Sequence, residues 1–498
     1  MDPTPSYHDL AAWEDLNLLI PEAGAVEDPD DPRHLDPRQP PPELVVLDQS
    51  IQELEERLAD LKAQRAKLLD ERALIGRLPP ELLSRIFELG VGESFDLLPT
   101  LNLVSAKWRA VALSTPPLWS YIVLDADWAW RIPAFLGRMR VYLQRSQASK
   151  LFIDLDFRQF ENPANVEAVM AEAEPHLWRC YSFNVSVIDW PRLRQVQEHA
   201  SGLGPTLEDL YLCIDSSESE THEPFSFLTQ PCPRLGYVVL EHAPLDCIQV
   251  PLPSLRHLHL LRDHRCHSSA RISYPFHELV ATVTKSPLKC LKLRSALFAL
   301  DASEEVFKAS PCPTELRDLK DLTFDVVDSG SITLFFEATI LPALEILSVN
   351  SGEDLQWLRR ISLTPSHFPS LRLLDLRNCN FSGPALVPLV RALHHLPQIT
   401  GLGISSPSTG VVGTRIFDML AAGPDILGRW LLPRLEALSL QNCVDISGHE
   451  LHRVVLARRG AAALEVANIT YLKVSQCYSL DPEVLERLIS LVDTVRSL

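Results

Sequence analysis

One frame, L-x-x-L-x-L, recurs ten times in this 498-residue chain and limits its fold more than any other feature. Its first residues are Leu207, Leu235, Leu255, Leu288, Leu319, Leu344, Leu371, Ile399, Leu435 and Ile469, with other apolar residues replacing Leu at some frame positions. The ten starts span 262 residues in nine steps of 20 to 36, a mean near 29. Pro often stands just before the frame, as in LPSLRHLHL, LPALEILSV, FPSLRLLDL and LPRLEALSL. A strand-turn-helix unit of that length cannot close a core alone, so successive units must stack and share one. The frame leucines then point inward, and the residues between and beside the last two point to the concave face of the stack.

Read out in that way, the concave positions include Tyr211, Tyr237, Ile346 and Leu373, then a Gly- and Ser-rich run through Gly401, Gly403, Ser405 and Ser439. They hold one cationic spot, His257, His259, Lys292 and Arg294, backed by Arg256, Arg262, His264 and Arg265. A local positive region in an acidic protein focuses anionic ligands, so these four are the candidate client-binding residues, for an acidic or phosphorylated segment. The alternative is an ordinary solvated surface. A metal reading of His257, His259, His264, Cys266 and His267 lacks the spacing of a ligand frame.

A second constraint lies in Ile75 to Asp125, which divides into three short helical signals. The first opens at Pro79-Pro80, where a missing amide donor costs nothing, and carries Leu82, Leu83, Ile86, Phe87 and Leu89 to a stop at Gly90. The next starts near Thr100, a plausible N-cap, and places Leu101, Val104, Trp108 and Val111 at helical spacing. Thr115-Pro116 reads as the cap and first residue of a third, carrying Leu118 and Trp119. So small a piece cannot bury that many large apolar groups by itself. Half a dozen of them give a gross of about 10 kcal/mol on burial, before association costs, enough for a specific protein contact.

The order L-P-x-E-L-L-x-x-I-F, then L-x-L-V-S-x-x-W-R-x-V-A, then T-P-x-L-W resembles an F-box, the module by which substrate receptors dock onto the Skp-type adaptor of SCF ubiquitin ligases. The resemblance implies that the adaptor is held by Leu78, Pro79, Leu82, Leu83, Ile86, Phe87, Leu103, Val104, Trp108, Leu118 and Trp119. Val91 to Pro99 is longer and richer in Gly and acid than a minimal F-box. The later part resembles a leucine-rich-repeat array. In that family the position eight residues after a frame start holds Asn or Cys, which fills the turn behind the strand; here Cys379, Cys443 and Cys477 stand there. An F-box followed by leucine-rich repeats is also the arrangement of F-box receptors abundant in mushroom-forming fungi.

Between Leu44 and Ile75 the apolar residues fall at Leu47, Ile51, Leu54, Leu58, Leu61, Leu68 and Ile75, interrupted where Arg65 and Arg72 take seam positions. The segment reads as an amphipathic helix of about four heptads, either a coiled-coil dimer or a helix laid along the next domain. Residues 1–43 hold eleven Asp or Glu against two Arg, with dense Pro, and cannot bury enough apolar surface to order themselves. One island, Leu10, Trp13, Leu16, Leu18, Leu19 and Ile20, reads as a short partner-binding helix or as a sticky patch in that tail.

The net charge of −19 argues against a general nucleic-acid binder. Ten dispersed Cys without a Cys-x-x-Cys pair read as reduced thiols, and no run of eighteen apolar residues occurs, so no membrane span is expected. The first residues, MDPTPSYHDL, lack a basic and an apolar region of a secretory leader, so a cytosolic or nuclear location is expected. Phosphate-loop, nucleophile-elbow and zincin motifs are missing; His449-Glu450-Leu451-His452 sets its second His one place too early.

The expected fold class is therefore α/β. A Pro-rich acidic tail (1–43), an amphipathic helix (44–75) and a three-helix F-box (76–125) precede a linker with the first strand-helix units (126–200) and an irregular repeat solenoid (201–498). The expected function is that of a non-catalytic, cofactor-free receptor joining a Skp-type adaptor, and through it a cullin scaffold, to a protein client. A repeat scaffold with no ligase attached is the alternative.

Overall fold

The computed structural model describes residues 42–498, apart from 73–74, 76–77, 216–225, 263–272, 296, 300–312, 351–354, 379–385, 407–411, 425–428, 462–465, 478–481 and 498. The tail, the island at Leu10 to Ile20, His264, Arg265, Cys266, His267 and Cys379 lie outside the described residues. The chain forms two units, one ending at Leu78 and one starting at Pro79. Among the described residues no helix is long and apolar enough to cross a membrane.

The first unit contains α1, Pro42–Arg72, a 31-residue helix that begins two residues before the expected segment 44–75 and ends three residues short of its end. Neither Pro nor Gly interrupts it after Pro42, and every side chain from Val46 to Arg65 is exposed.

The second unit opens with α2 (Pro80–Glu93), α3 (Leu97–Val104), α4 (Ala106–Leu113) and a 3-10 turn at Pro116–Trp119. It then enters a 14-stranded parallel sheet, in which each strand lies between its neighbours in the order of the chain. All ten frames found in the sequence become strands of this sheet, and each strand starts two residues after its frame start, from Asp209–Ile214 to Tyr471–Ser475. Within each, alternate residues face opposite ways. Leu210 and Leu212, Leu258 and Leu260, Leu291 and Leu293, and Leu374 and Leu376 are all 0% exposed, while the residues between them reach the open face.

The sheet starts earlier than residue 201. Tyr121–Leu124, Leu151–Asp156 and Cys180–Val187 are its first three strands, and Thr494–Ser497 is its last. Residues 126–200 thus belong to the same stack as the frames. Their helices, α5 (Ile132–Arg145), α6 (Pro163–Ala173) and α7 (Trp190–His199), bury Phe135, Met139, Val166, Met170, Leu193 and Val196.

Two further devices hold the stack. Among the described residues, six strands are followed directly by a residue with positive φ: His242, Ser295, Val326, Asn378, Asn442 and Gln476. Each stands seven residues after its frame start, and the turn leads the chain away from the sheet. Around the strand Asp321–Asp325 the frame Leu is replaced by Phe324, which begins an aromatic chain: its ring lies 5.5 Å from Phe335 and 5.8 Å from Phe336, which in turn lies 5.3 Å from Phe368. Edge-on rings at such spacings add about 0.5–1.5 kcal/mol per pair beyond their buried area.

Candidate docking surfaces

The helical module has two faces because its helices separate their apolar residues by spacing. On α2, Leu83, Phe87 and Val91, four apart, are at most 1% exposed, whereas Leu82, Ile86 and Leu89 on the opposite face are 52%, 47% and 59% exposed. Pro79 caps the helix, its carbonyl accepting from the amides of Leu82 and Leu83 at 3.1 Å. The helix does not stop at Gly90. That glycine lets Leu97 cross close by, since a Cβ on it would stand 2.5 Å from Leu97 Cδ2.

Thr100 is not a cap either; it lies inside α3. The signal read as one helix breaks at Ser105, whose Oγ accepts from the Trp108 amide at 3.2 Å and starts α4. The break leaves Leu98 and Leu101 inside, at 1% and 3%, and Leu103 and Val104 outside, at 69% and 53%.

The eleven candidate adaptor-binding residues therefore divide. Pro79, Leu82, Ile86, Leu103 and Val104 are exposed, and Leu78 and Trp108 are half-buried. Leu83, Phe87, Leu118 and Trp119 belong instead to the unit's own core. Trp119 donates its indole N–H to the Ala112 carbonyl at 2.9 Å, meets Tyr142 edge-on at 5.1 Å and lies under the Arg145 guanidinium. It bolts α4 to α5 and offers no surface. The α2 face also exposes Leu89, which the family pattern does not include.

The long acidic segment after α2 has a packing role. Phe95 lies 5.1 Å from the ring of Tyr121 and 5.4 Å from that of Phe152, on the first two strands. This aromatic row continues to Tyr181, with Lys150 above its ring. Spacing alone did not mark it, because these strands carry no repeat frame.

On the open face of the sheet the strands bring the four candidate client-binding residues together: His257 pairs with Cys290 and His259 with Lys292, one step before Arg294. The cationic spot is nevertheless mostly self-neutralised. Burial, with Lys292 and His257 beside it, pulls His259 down to about 4, so its ring is neutral at physiological pH. Its Nδ1 faces the Tyr237 hydroxyl at 3.4 Å. Arg294 is bound to Asp325 at 2.7 Å, and Asp325 also accepts from Asn350. Burial raises the Asp321 carboxyl above its ordinary range, and His257 and Lys292 beside it oppose that only in part. The result is a mixed polar surface beside Tyr237, in which Arg294 is ion-paired and Lys292 adds a second fixed positive charge.

Of the metal reading, only His257 and His259 lie among the described residues, where no group of three or more metal-ligating side chains occurs. Glu450 of the His-Glu-Leu-His run accepts from the Ser447 amide and closes a capping box at the start of a helix.

No known family profile matches the sequence, and no curated protein does. Among solved structures the chain is similar to one described as the crystal structure of the Rad7 and Elc1 complex in yeast. The identity is 13% and the TM-score 0.37, over 91% of this chain and 97% of that one.

Proposed function

We propose that this chain is a non-catalytic substrate receptor of an SCF-type ubiquitin ligase. Its F-box, α2 to the 3-10 turn, docks a Skp-type adaptor, and through it a cullin scaffold, while the open face of its leucine-rich-repeat sheet takes a protein client. The chain contributes proximity, and the transfer chemistry resides in other subunits. A cytosolic or nuclear site of action belongs to the same reading.

The observation that carries it is the outward set Leu82, Ile86, Leu103 and Val104, 47–69% exposed while the inner leucines of the same helices are sealed. Fully covering a Leu, Ile or Val gains about 1.5–3 kcal/mol, so covering these half-exposed groups yields a gross of a few kcal/mol. A polar helix face would have served a piece that needed only its own core.

The test is a pull-down of the Skp-type adaptor with purified full chain. Leu82→Asp with Ile86→Asp is expected to abolish capture while leaving thermal unfolding within about 1 kcal/mol of wild type, as exposed substitutions do. Absence of capture by the wild-type chain would leave the repeat scaffold as the function.

A further inference from the structure

α1 presents a second apolar surface, and its charges state what fits on it. Leu47, Ile51, Leu54, Leu58 and Leu61 alternate at steps of four and three and are 51–68% exposed. That stripe has the period of a two-helix seam. Leu47, Leu54 and Leu61 occupy d positions and Ile51 and Leu58 a positions, which puts Arg65 at a, Glu55 and Lys62 at e, and Arg57 at g.

Two copies of this helix meet very differently in the two orientations. In a parallel pair each a residue faces its own copy, so Arg65 opposes Arg65 and Arg57 lies beside Lys62 of the second copy. Both contacts repel. In an antiparallel pair a opposes d. The register that seats Leu58 against Leu61 then puts Arg65 opposite Leu54, whose surface its stem covers while its head reaches water. It also sets Glu55 beside Lys62 of the second copy, and two-fold symmetry makes that attractive contact twice.

We propose that α1 joins two copies of this chain as an antiparallel two-helix coiled coil. The seam supplies the attachment and the charges at positions 55, 57, 62 and 65 select the orientation.

The experiment is sedimentation equilibrium of the full chain with light scattering, independent of any adaptor. The wild type is expected to dimerise. Leu58→Asp is expected to be monomeric with an unchanged far-ultraviolet spectrum and unfolding midpoint, because residue 58 lies outside the repeat unit's core. Lys62→Glu decides the orientation: the new carboxylate meets Glu55 in the antiparallel pair and Arg57 in the parallel one. A roughly tenfold weaker dimer is expected, from exchanging two attractive surface pairs for two repulsive ones, with Glu55→Lys added to Lys62→Glu restoring it. A wild-type monomer at every concentration, a dimer untouched by Leu58→Asp, or a tighter dimer with Lys62→Glu would each overturn the proposal.

Discussion

The rings of Phe87 and Trp108 lie 4.8 Å apart at 50°, the first sealed at 1% exposure and the second half-buried against it. Phe87 fixes where α4 sits on α2, and so where the α3 residues beside it emerge.

Two substitutions on α2 should separate folding from docking. Phe87→Ala removes a fully buried ring and is expected to cost about 3–5 kcal/mol, while Leu82→Asp costs less than about 1 kcal/mol. Chemical denaturation of both variants measures this. Equal costs would show that Leu82 is covered by the folded chain.

Val326 takes φ 56° with its side chain 49% exposed, in the same turn that Asn378 and Asn442 form in other units. A β-branched residue is strained in that left-handed region, where Asn and Gly are at ease. Val326→Asn should therefore raise stability by about 1 kcal/mol, and Asn442→Val should lower it by a similar amount. The urea midpoint is the readout, and a lower midpoint for Val326→Asn would refute the strain.

His199 ties α6 and the turn after it to α7, with Nδ1 2.7 Å from Glu174 and Nε2 3.0 Å from Glu167. Burial lowers its pKa, but the bonds to Glu174 and Glu167 outweigh that and hold it above the ordinary 6.5. Its contribution is complete below 6.5 and is lost as pH rises through the folded value. Glu167 shifts the other way, lowered from 4.5, so its share fades as pH falls toward acid. The unfolding midpoint of His199→Gln should lie below wild type near pH 6 and approach it on the alkaline side. A constant gap across that range would mean that packing, and not charge, is what the histidine supplies.

Cys443 and Cys477 stand in the turns behind adjacent strands, and the Cys443 amide donates to Cys477 Sγ at 3.3 Å. The neighbouring Cys443 holds Cys477 below the ordinary thiol range against the opposing effect of its burial, and Cys477 is the more exposed of the two. Burial pushes Cys180 and Cys247 the other way. Iodoacetamide at neutral pH should therefore modify Cys477 well before Cys180 or Cys247, and Cys443→Ala should slow that reaction. Peptide mapping over time gives the order.

The repeat stack was legible because it obeys a strict local rule: each frame start predicts a strand two residues on and a frame set facing the core. The alternation at Leu151 to Phe157 and Phe183 to Val187 announced strands as well, but not that they join the same sheet, since pairing partners are set by stacking and leave no mark on a single strand. Thr494–Ser497 is too short to carry a period. On the helical module the spacing marked apolar residues without saying which of two faces each would take. Leu82 and Leu83 are neighbours of the same type, and only the position of Phe87, Trp108 and Trp119 sends one out and the other in. The break at Ser105 turned on a single cap, and Gly90 mattered for the side chain that crosses it. The cations at Lys292 and Arg294 were legible from one frame, but the carboxylates beside them, Asp321 and Asp325, come from the next strand, and no single frame shows that pairing.

Phe95, set between Tyr121 and Phe152, clamps the α2–α3 junction onto the first strands. A protein seated on α2 and a protein seated on the sheet would thus be held at one fixed bearing to each other. Exchanging the later repeats would then alter the sheet's open face while leaving its bearing to α2 unchanged.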